Sequence, residues 1–163
     1  MTSHAFLIAR TEALLIAEPS VDSFRLRDAD LPGLKQLFVD AYAEEGHTGF
    51  ATVAAATERI DSLLNGDLGR PWAEAWLGIF DGDGPPVAAI VCTRWRGMPF
   101  IANVITTPHY RGRGYGSSLI REVAELAAHG GDSAVAITVQ RDSPSLRLML
   151  ELGFEELMSP VGV

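Results

Sequence analysis

Residues 103–120 read NVITTPHYRGRGYGSSLI, and the reading of this stretch decides how the rest of the chain is understood. A short β-rich apolar run ends at Thr106 and Thr107, Pro108-His109-Tyr110 marks a turn, and Arg111-Gly112-Arg113-Gly114-Tyr115-Gly116 follows directly. From Ser117 the apolar residues recur at helical spacing. A strand that passes through glycines into a helix is a device for holding a phosphate or pyrophosphate. Glycine lets the backbone come close, and the N–H groups of the first helical turn point at the anion. Arg111 and Arg113 add positive charge suited to a polyphosphate. The spacing is not the GxxxxGK[ST] of a P-loop, nor the GxGxxG of a dinucleotide fold. A glycine-rich turn with solvated arginines is the bland alternative. It does not account for a strand, paired arginines and an immediate helix start occurring together.

Upstream, Phe24-Arg25-Leu26-Arg27 alternates as a half-buried strand. Asp30 is placed to cap a helix whose apolar face carries Leu31, Leu34, Leu37, Phe38 and Ala41 and which ends near Glu45-Gly46. A second helix is expected over 52–64, with Val53, Ala56, Ile60 and Leu63 toward the core. Strands over 72–80 and 87–95 flank Asp81-Gly82-Asp83-Gly84, a hairpin turn, and a third strand runs over 100–107. Downstream, Leu119, Ile120, Val123, Leu126 and Ala127 form the buried face of the helix that leaves the glycine loop, and Gly130-Gly131 stops it. Residues 134–139 are a continuous apolar run, as in a strand covered on both faces. Ser143 and Pro144 open a last helix that Gly153 closes, and the tail after it holds one strand at most. His4 to Ala17 fit an amphipathic helix or a pair of short strands equally well. The chain therefore divides into an extension, 1–22, and a domain, 23–163.

Composition narrows the function. With 47% hydrophobic and 21% charged residues, a chain of 163 residues is one ordinary globular domain. A net charge of −8 argues against a general nucleic-acid binder and accords with a cationic acceptor. Cys92 is the single cysteine, so no intramolecular disulfide forms, and its apolar surroundings suit a buried small hydrophobe. Arg10 and Glu12 interrupt the N-terminal apolar runs, which makes a poor signal peptide, and no stretch approaches a membrane span. A cytoplasmic protein with neither membrane nor nucleic-acid partner is expected, and no metal.

The run Arg111 to Gly116 resembles the R/Q-x-x-G-x-G/A pyrophosphate loop of the GNAT superfamily of N-acetyltransferases. NVITTPHY before it is similar to that family's central bulged strand and its exit. Residues 142–154, DSPSLRLMLELGF, resemble the second family signature, N-x-x-A-x-x-L-Y-x-x-L-G-F. The resemblance implies an α/β (α+β) fold with a mixed, mainly antiparallel sheet in the order β-α-α-β-β-β-α-β-α-β. Because the tail is short, the place of the last strand falls to the N-terminal segment or to a second subunit in a homodimer.

The activity implied is transfer of an acetyl group from acetyl-CoA to a primary amine of a small molecule or peptide. The pyrophosphate would lie on Arg111, Gly112, Arg113, Gly114, Tyr115, Gly116 and Ser117. The pantetheine arm would hydrogen-bond like an added strand to the backbone at Val104, Ile105 and Thr106, where an N–H also polarises the thioester. A general base is harder to place, since Phe100 and Ile101 stand where many members carry a glutamate. Glu45 and Glu74 are the candidates, with Glu44 and His47 beside Glu45; each reads equally as a solvated surface group. Two departures from the signature bear on the chemistry. Met149 occupies the place of a tyrosine that protonates the leaving thiolate, and Asp142 that of an asparagine. A thioether has no proton to give. The rival reading is a catalytically weak acyl-CoA-binding sensor or interaction module; a nucleotide-phosphate binder unrelated to CoA is a third.

Overall fold

The computed structural model describes residues 3–43 and 50–157. Strand β1 (His4–Arg10) leads into a one-turn helix, α1 (Thr11–Leu14), and then β2 (Phe24–Arg25), α2 (Leu31–Ala43) and α3 (Val53–Leu64). Next come β3 (Arg70–Pro71), β4 (Leu77–Phe80), β5 (Pro86–Trp95) and β6 (Met98–Thr106). The chain ends through α4 (Tyr115–His129), β7 (Ala134–Gln140), α5 (Pro144–Leu152) and β8 (Glu155–Glu156). The strands form one eight-stranded sheet in the order β2-β4-β5-β6-β7-β1-β8, with β3 paired to β5. Every pairing is antiparallel except β6 with β7. This is the mixed, mainly antiparallel architecture that the resemblance implied.

Alternation along the strands supplies two apolar faces. Ile90, Cys92, Ile101 and Ile137 lie under α4, whose Leu119, Ile120 and Val123 are fully buried. Ala89, Val91 and Ile105 face the other way, under Leu34, Leu37 and Phe38 of α2 and Ile60 and Leu63 of α3. Each such side chain contributes about 1.5–3 kcal/mol when taken out of water, so covering the sheet on both faces is what closes the core. Val53 does not join it. At the first position of α3, one turn before Ala56 reaches the sheet, it is 59% exposed. Leu31 and Leu126 sit at the core's margin, half-buried.

Local chemistry sets most element ends where expected. The Thr52 hydroxyl accepts from the Ala55 N–H at 3.1 Å and caps α3, and Gly153, at φ 114°, ends α5. Two ends differ. The Asp30 carboxylate accepts from the Arg27 N–H at 2.8 Å and closes a 3₁₀ turn over Asp28–Asp30, so α2 starts after it at Leu31. The Ser143 hydroxyl donates back to the Gln140 carbonyl at 2.7 Å instead of accepting from α5, and Pro144 alone prepares that helix.

The expected strand over 72–80 is broken. Residues Ala73–Ala75 form a 3₁₀ turn between β3 and β4, both of which pair with β5. Trp72, Ala75 and Trp76 are buried while Ala73 and Glu74 are exposed, a spacing of three and four that belongs to a helical turn. The Trp76 indole N–H donates to the Cys92 carbonyl at 2.9 Å and holds the turn against β5.

The first residues, whose structure the sequence left open, become part of the sheet. All seven residues of β1 pair with β7, from His4 opposite Gln140 to Arg10 opposite Ala134. Thus the place beside β7 that the short tail left vacant is taken by the same chain's own N-terminal segment. The path onward is fixed to α4, where the buried Ser118 hydroxyl accepts from the N–H groups of Ser20 and Val21 at 3.0 Å each.

Candidate functional site

The site begins with a β-bulge. Val91 stands opposite Asn103 and Cys92 opposite Ile101, which leaves Ala102 as an extra residue on β6. A bulge bends and twists its strand. β6 meets β7 only at Phe100–Ala136 and Ile101–Ile137; past that point β7 runs on beside β1, and β6 diverges from it. The backbone of β6 from Ala102 to Thr106 is left facing a wedge. The Ala102 carbonyl accepts from Arg59 Nη2 at 3.1 Å and the Thr106 carbonyl from Arg111 Nε at 3.2 Å. Val104, alternating with these two, turns its backbone into the same wedge. Two cavities of about 560 and 400 Å³ open from it, and Tyr42, Val104, Ser145 and Met149 line both.

The larger arm runs to the start of α4. Gly112 and Gly114 hold φ of 79° and 80°, a left-handed conformation that glycine adopts freely, and an added Cβ at either would meet nothing within 4 Å. The first hydrogen bond of α4 joins the Ser118 N–H to the Gly114 carbonyl at 3.0 Å. Helix geometry therefore leaves the N–H groups of Tyr115, Gly116 and Ser117 to a partner outside the helix, at its positive dipole end. Gly116 brings this terminus up to β6, where a Cβ would lie 3.8 Å from the Val104 side chain. An anion of phosphate type matches such a cradle.

Most of the residues assigned to the cofactor from sequence meet here. Val104, Ile105, Thr106, Arg111, Gly112, Gly114, Tyr115, Gly116 and Ser117 line the larger arm. Arg113 stands apart, stacked 4.6 Å over the Tyr110 ring with Nη2 reaching the His109 carbonyl. Arg111 also donates Nη2 to the Ala41 carbonyl at 2.6 Å, tying the end of α2 to the end of β6. The Tyr110 hydroxyl donates to Asp81, whose hydrogen bond holds the phenol above its ordinary pKa. That makes Tyr110 a poor proton donor. Tyr115 is half-buried and stacks on Tyr110 with ring centres 6.2 Å apart.

The smaller arm is lined by a hydrogen-bonded chain of three side chains. Arg59 Nε donates to Asn103 Oδ1 at 2.9 Å, and Asn103 Nδ2 donates to the Tyr42 hydroxyl at 2.9 Å. Asn103 is 8% exposed and Arg59 half-buried, with its guanidinium 5.3 Å over the Phe50 ring. Met149, 2% exposed, forms part of the floor where the arms meet.

The candidate acids are placed elsewhere. Glu74 is exposed on the 3₁₀ turn, within electrostatic reach of Arg94, and lines neither arm. Glu45, with Glu44 and His47, lies outside the described residues. Sequence reading passed over Tyr42 and Arg59, although both carried a signal. Tyr42 is four residues after Phe38, and Arg59 is three after Ala56 and four before Leu63, so each sits on the buried stripe of its helix. A polar side chain on an apolar stripe asks for a partner.

Residues 76–161, more than half of the chain, match the model of the FR47-like protein family. No curated protein matches the sequence. Among solved structures, a GCN5-related N-acetyltransferase from Sphaerobacter thermophilus is similar with a TM-score of 0.70 at 17% identity, over 96% of this chain and 49% of that one. PaiA N-acetyltransferase from Thermoplasma acidophilum, in complex with coenzyme A, is similar with a TM-score of 0.65 at 15% identity, over 87% and 94% of the two chains. A GNAT-family acetyltransferase from Colwellia psychrerythraea gives 0.69 at 14%, over 96% and 53%. The chain spans about half the length of the Sphaerobacter and Colwellia proteins. The family match covers more than half of the chain, and the fold is the one these acetyltransferases share: the chain belongs to the FR47-like family.

Proposed function

We propose that this chain transfers the acetyl group of acetyl-CoA to a primary amine by direct attack. The observation that carries the reading is the wedge between β6 and β7, which runs from a glycine-lined helix start to a junction of two cavities. In this reading the pyrophosphate takes the N–H groups at Tyr115, Gly116 and Ser117, and Arg111 supplies charge from the wall. The pantetheine arm lies along β6 as an added strand, and the Val104 N–H polarises the thioester oxygen.

The reaction forms one C–N bond and breaks one C–S bond. The amine gives up a proton and the thiolate accepts one. Met149 has none to supply, and the Tyr42 hydroxyl, at the same junction, serves instead. Asn103 donates to its oxygen and Arg59 to Asn103, an order of donors that ends on a cation and holds the phenol at the junction. The amine's proton passes to water or to Glu45.

Calorimetry with CoA, followed by thiol release from acetyl-CoA across an amine panel, tests the reading. Expected are saturable CoA binding and amine-dependent thiol release. Binding without release from any amine favours the sensor reading, which Met149 supports; no CoA binding overturns both.

A further inference from the structure

We propose that the smaller arm is an acceptor pocket for a small aminocarboxylate, an amine and a carboxylate on one molecule, and that Arg59 receives the carboxylate. This rests on the acetyl-transfer reading and names its acceptor class.

Arg59 is the only side chain with a permanent charge lining this arm among the described residues; no aspartate or glutamate does so. Its partners are neutral: the Asn103 amide oxygen, the Ala102 carbonyl and the Phe50 ring. Arg94, also half-buried, is treated differently. Arg94 grips Asp132 with both terminal nitrogens, at 3.1 and 2.6 Å. Arg59 has no such counter-charge among the described residues, and burial pulls its guanidinium below the ordinary pKa, with Tyr42 acting the other way. A half-buried cation without an anion is costly, and a ligand carboxylate supplies what is missing.

Geometry favours a carboxylate. A guanidinium carries five N–H donors in a flat fork, of which the bonds to Asn103 and Ala102 occupy two. The remainder suit two-point contact with a planar anion. The bonds to Asn103 and Ala102 hold the fork at the bulge, beside Val104, so a bound carboxylate lies close to the end of the wedge where the thioester is placed. The volume of about 400 Å³ suits a small molecule. Thr138, Gln140, Ser143 and Ser145 give the opposite wall polarity without formal charge. A simple polyamine would meet Arg59 and find no counter-charge among the described lining residues. Three acids of the first half of the chain lie elsewhere: Asp40 accepts from Gln36, Asp67 from Ser62, and Glu74 lies near Arg94, while Glu44 and Glu45 are outside the described residues.

The test compares amino acids with their carboxamides and with the matching decarboxylated amines. Thiol release from acetyl-CoA gives kcat/KM, and calorimetry on CoA-saturated protein gives binding without chemistry. For the wild type, the free acid of the best acceptor should exceed its amide by roughly 10- to 100-fold in kcat/KM and in affinity, the range of a charge-assisted pair. Arg59→Met should bring acid and amide within a few-fold of each other while leaving CoA affinity unchanged. Arg59→Lys should retain part of the preference. If no amine releases thiol yet acids still bind better than amides, the acetyl-transfer reading falls and the carboxylate site stands. An amide or simple amine that equals the acid in the wild type overturns the proposal, whether or not Arg59→Met folds.

Discussion

Gly114→Ala separates the cost of a backbone conformation from the loss of a ligand. Gly114 sits at φ 80° and Gly82, in the β4–β5 hairpin, at 81°; an added Cβ meets nothing within 4 Å at either. Alanine at each position incurs only the left-handed penalty, about 1–2 kcal/mol. For a chain of this size that lowers Tm by roughly 2–8 °C, similarly in both variants. Only Gly114 lines the cavity. There a methyl group stands where the anion approaches the first-turn N–H groups, and loss of one charge-assisted hydrogen bond is worth about 1.5–3 kcal/mol. The Kd for CoA should therefore rise roughly 10- to 150-fold in Gly114→Ala and stay unchanged in Gly82→Ala. Thermal unfolding with and without CoA, backed by calorimetry, reads both quantities, because a ligand at free concentration c that binds only the folded state stabilises it by RT ln(1 + c/Kd). Equal Tm losses together with equal CoA affinity in the two variants would refute the helix-start assignment.

Tyr42→Phe should lower kcat about 100-fold with CoA affinity intact, the scale of one lost proton transfer; an unchanged kcat removes Tyr42 as the donor. Glu156 accepts from Arg141, and that hydrogen bond holds its carboxyl below the ordinary value. Its stability contribution is complete above the ordinary pKa and lost as pH falls through the lowered folded one. Urea midpoints of wild type and Glu156→Gln should thus differ at about pH 7 and draw together as pH falls through the lowered carboxyl pKa; a gap that stays constant into acid contradicts this. Cys92 is fully buried, and burial drives its thiol pKa far up, so DTNB should label it only on unfolding. Rapid labelling of the native protein would place it wrongly.

The sequence alone carried the features that depend on near neighbours. The glycine loop from Arg111 to Gly116, the hairpin at Asp81–Gly84 and the Gly153 stop are each set by a few consecutive residues, and all appear where they were read. Apolar periodicity likewise marked the faces of α2, α3 and α4, missing Val53, where helical register continues past the edge of contact. Tertiary structure decided what depends on residues far apart. His4–Arg10 alternates, with Ala5, Leu7 and Ala9 buried, but whether it pairs with β7 is settled by an edge some 130 positions away, the one opposite β6. The break at Ala73–Ala75 follows from two tryptophans needing opposite faces of β5. Tyr42, Arg59 and Asn103 come from two helices and a strand, and no spacing along the chain announces that they will touch. Periodicity tells a residue which way to face; only packing determines what it finds there.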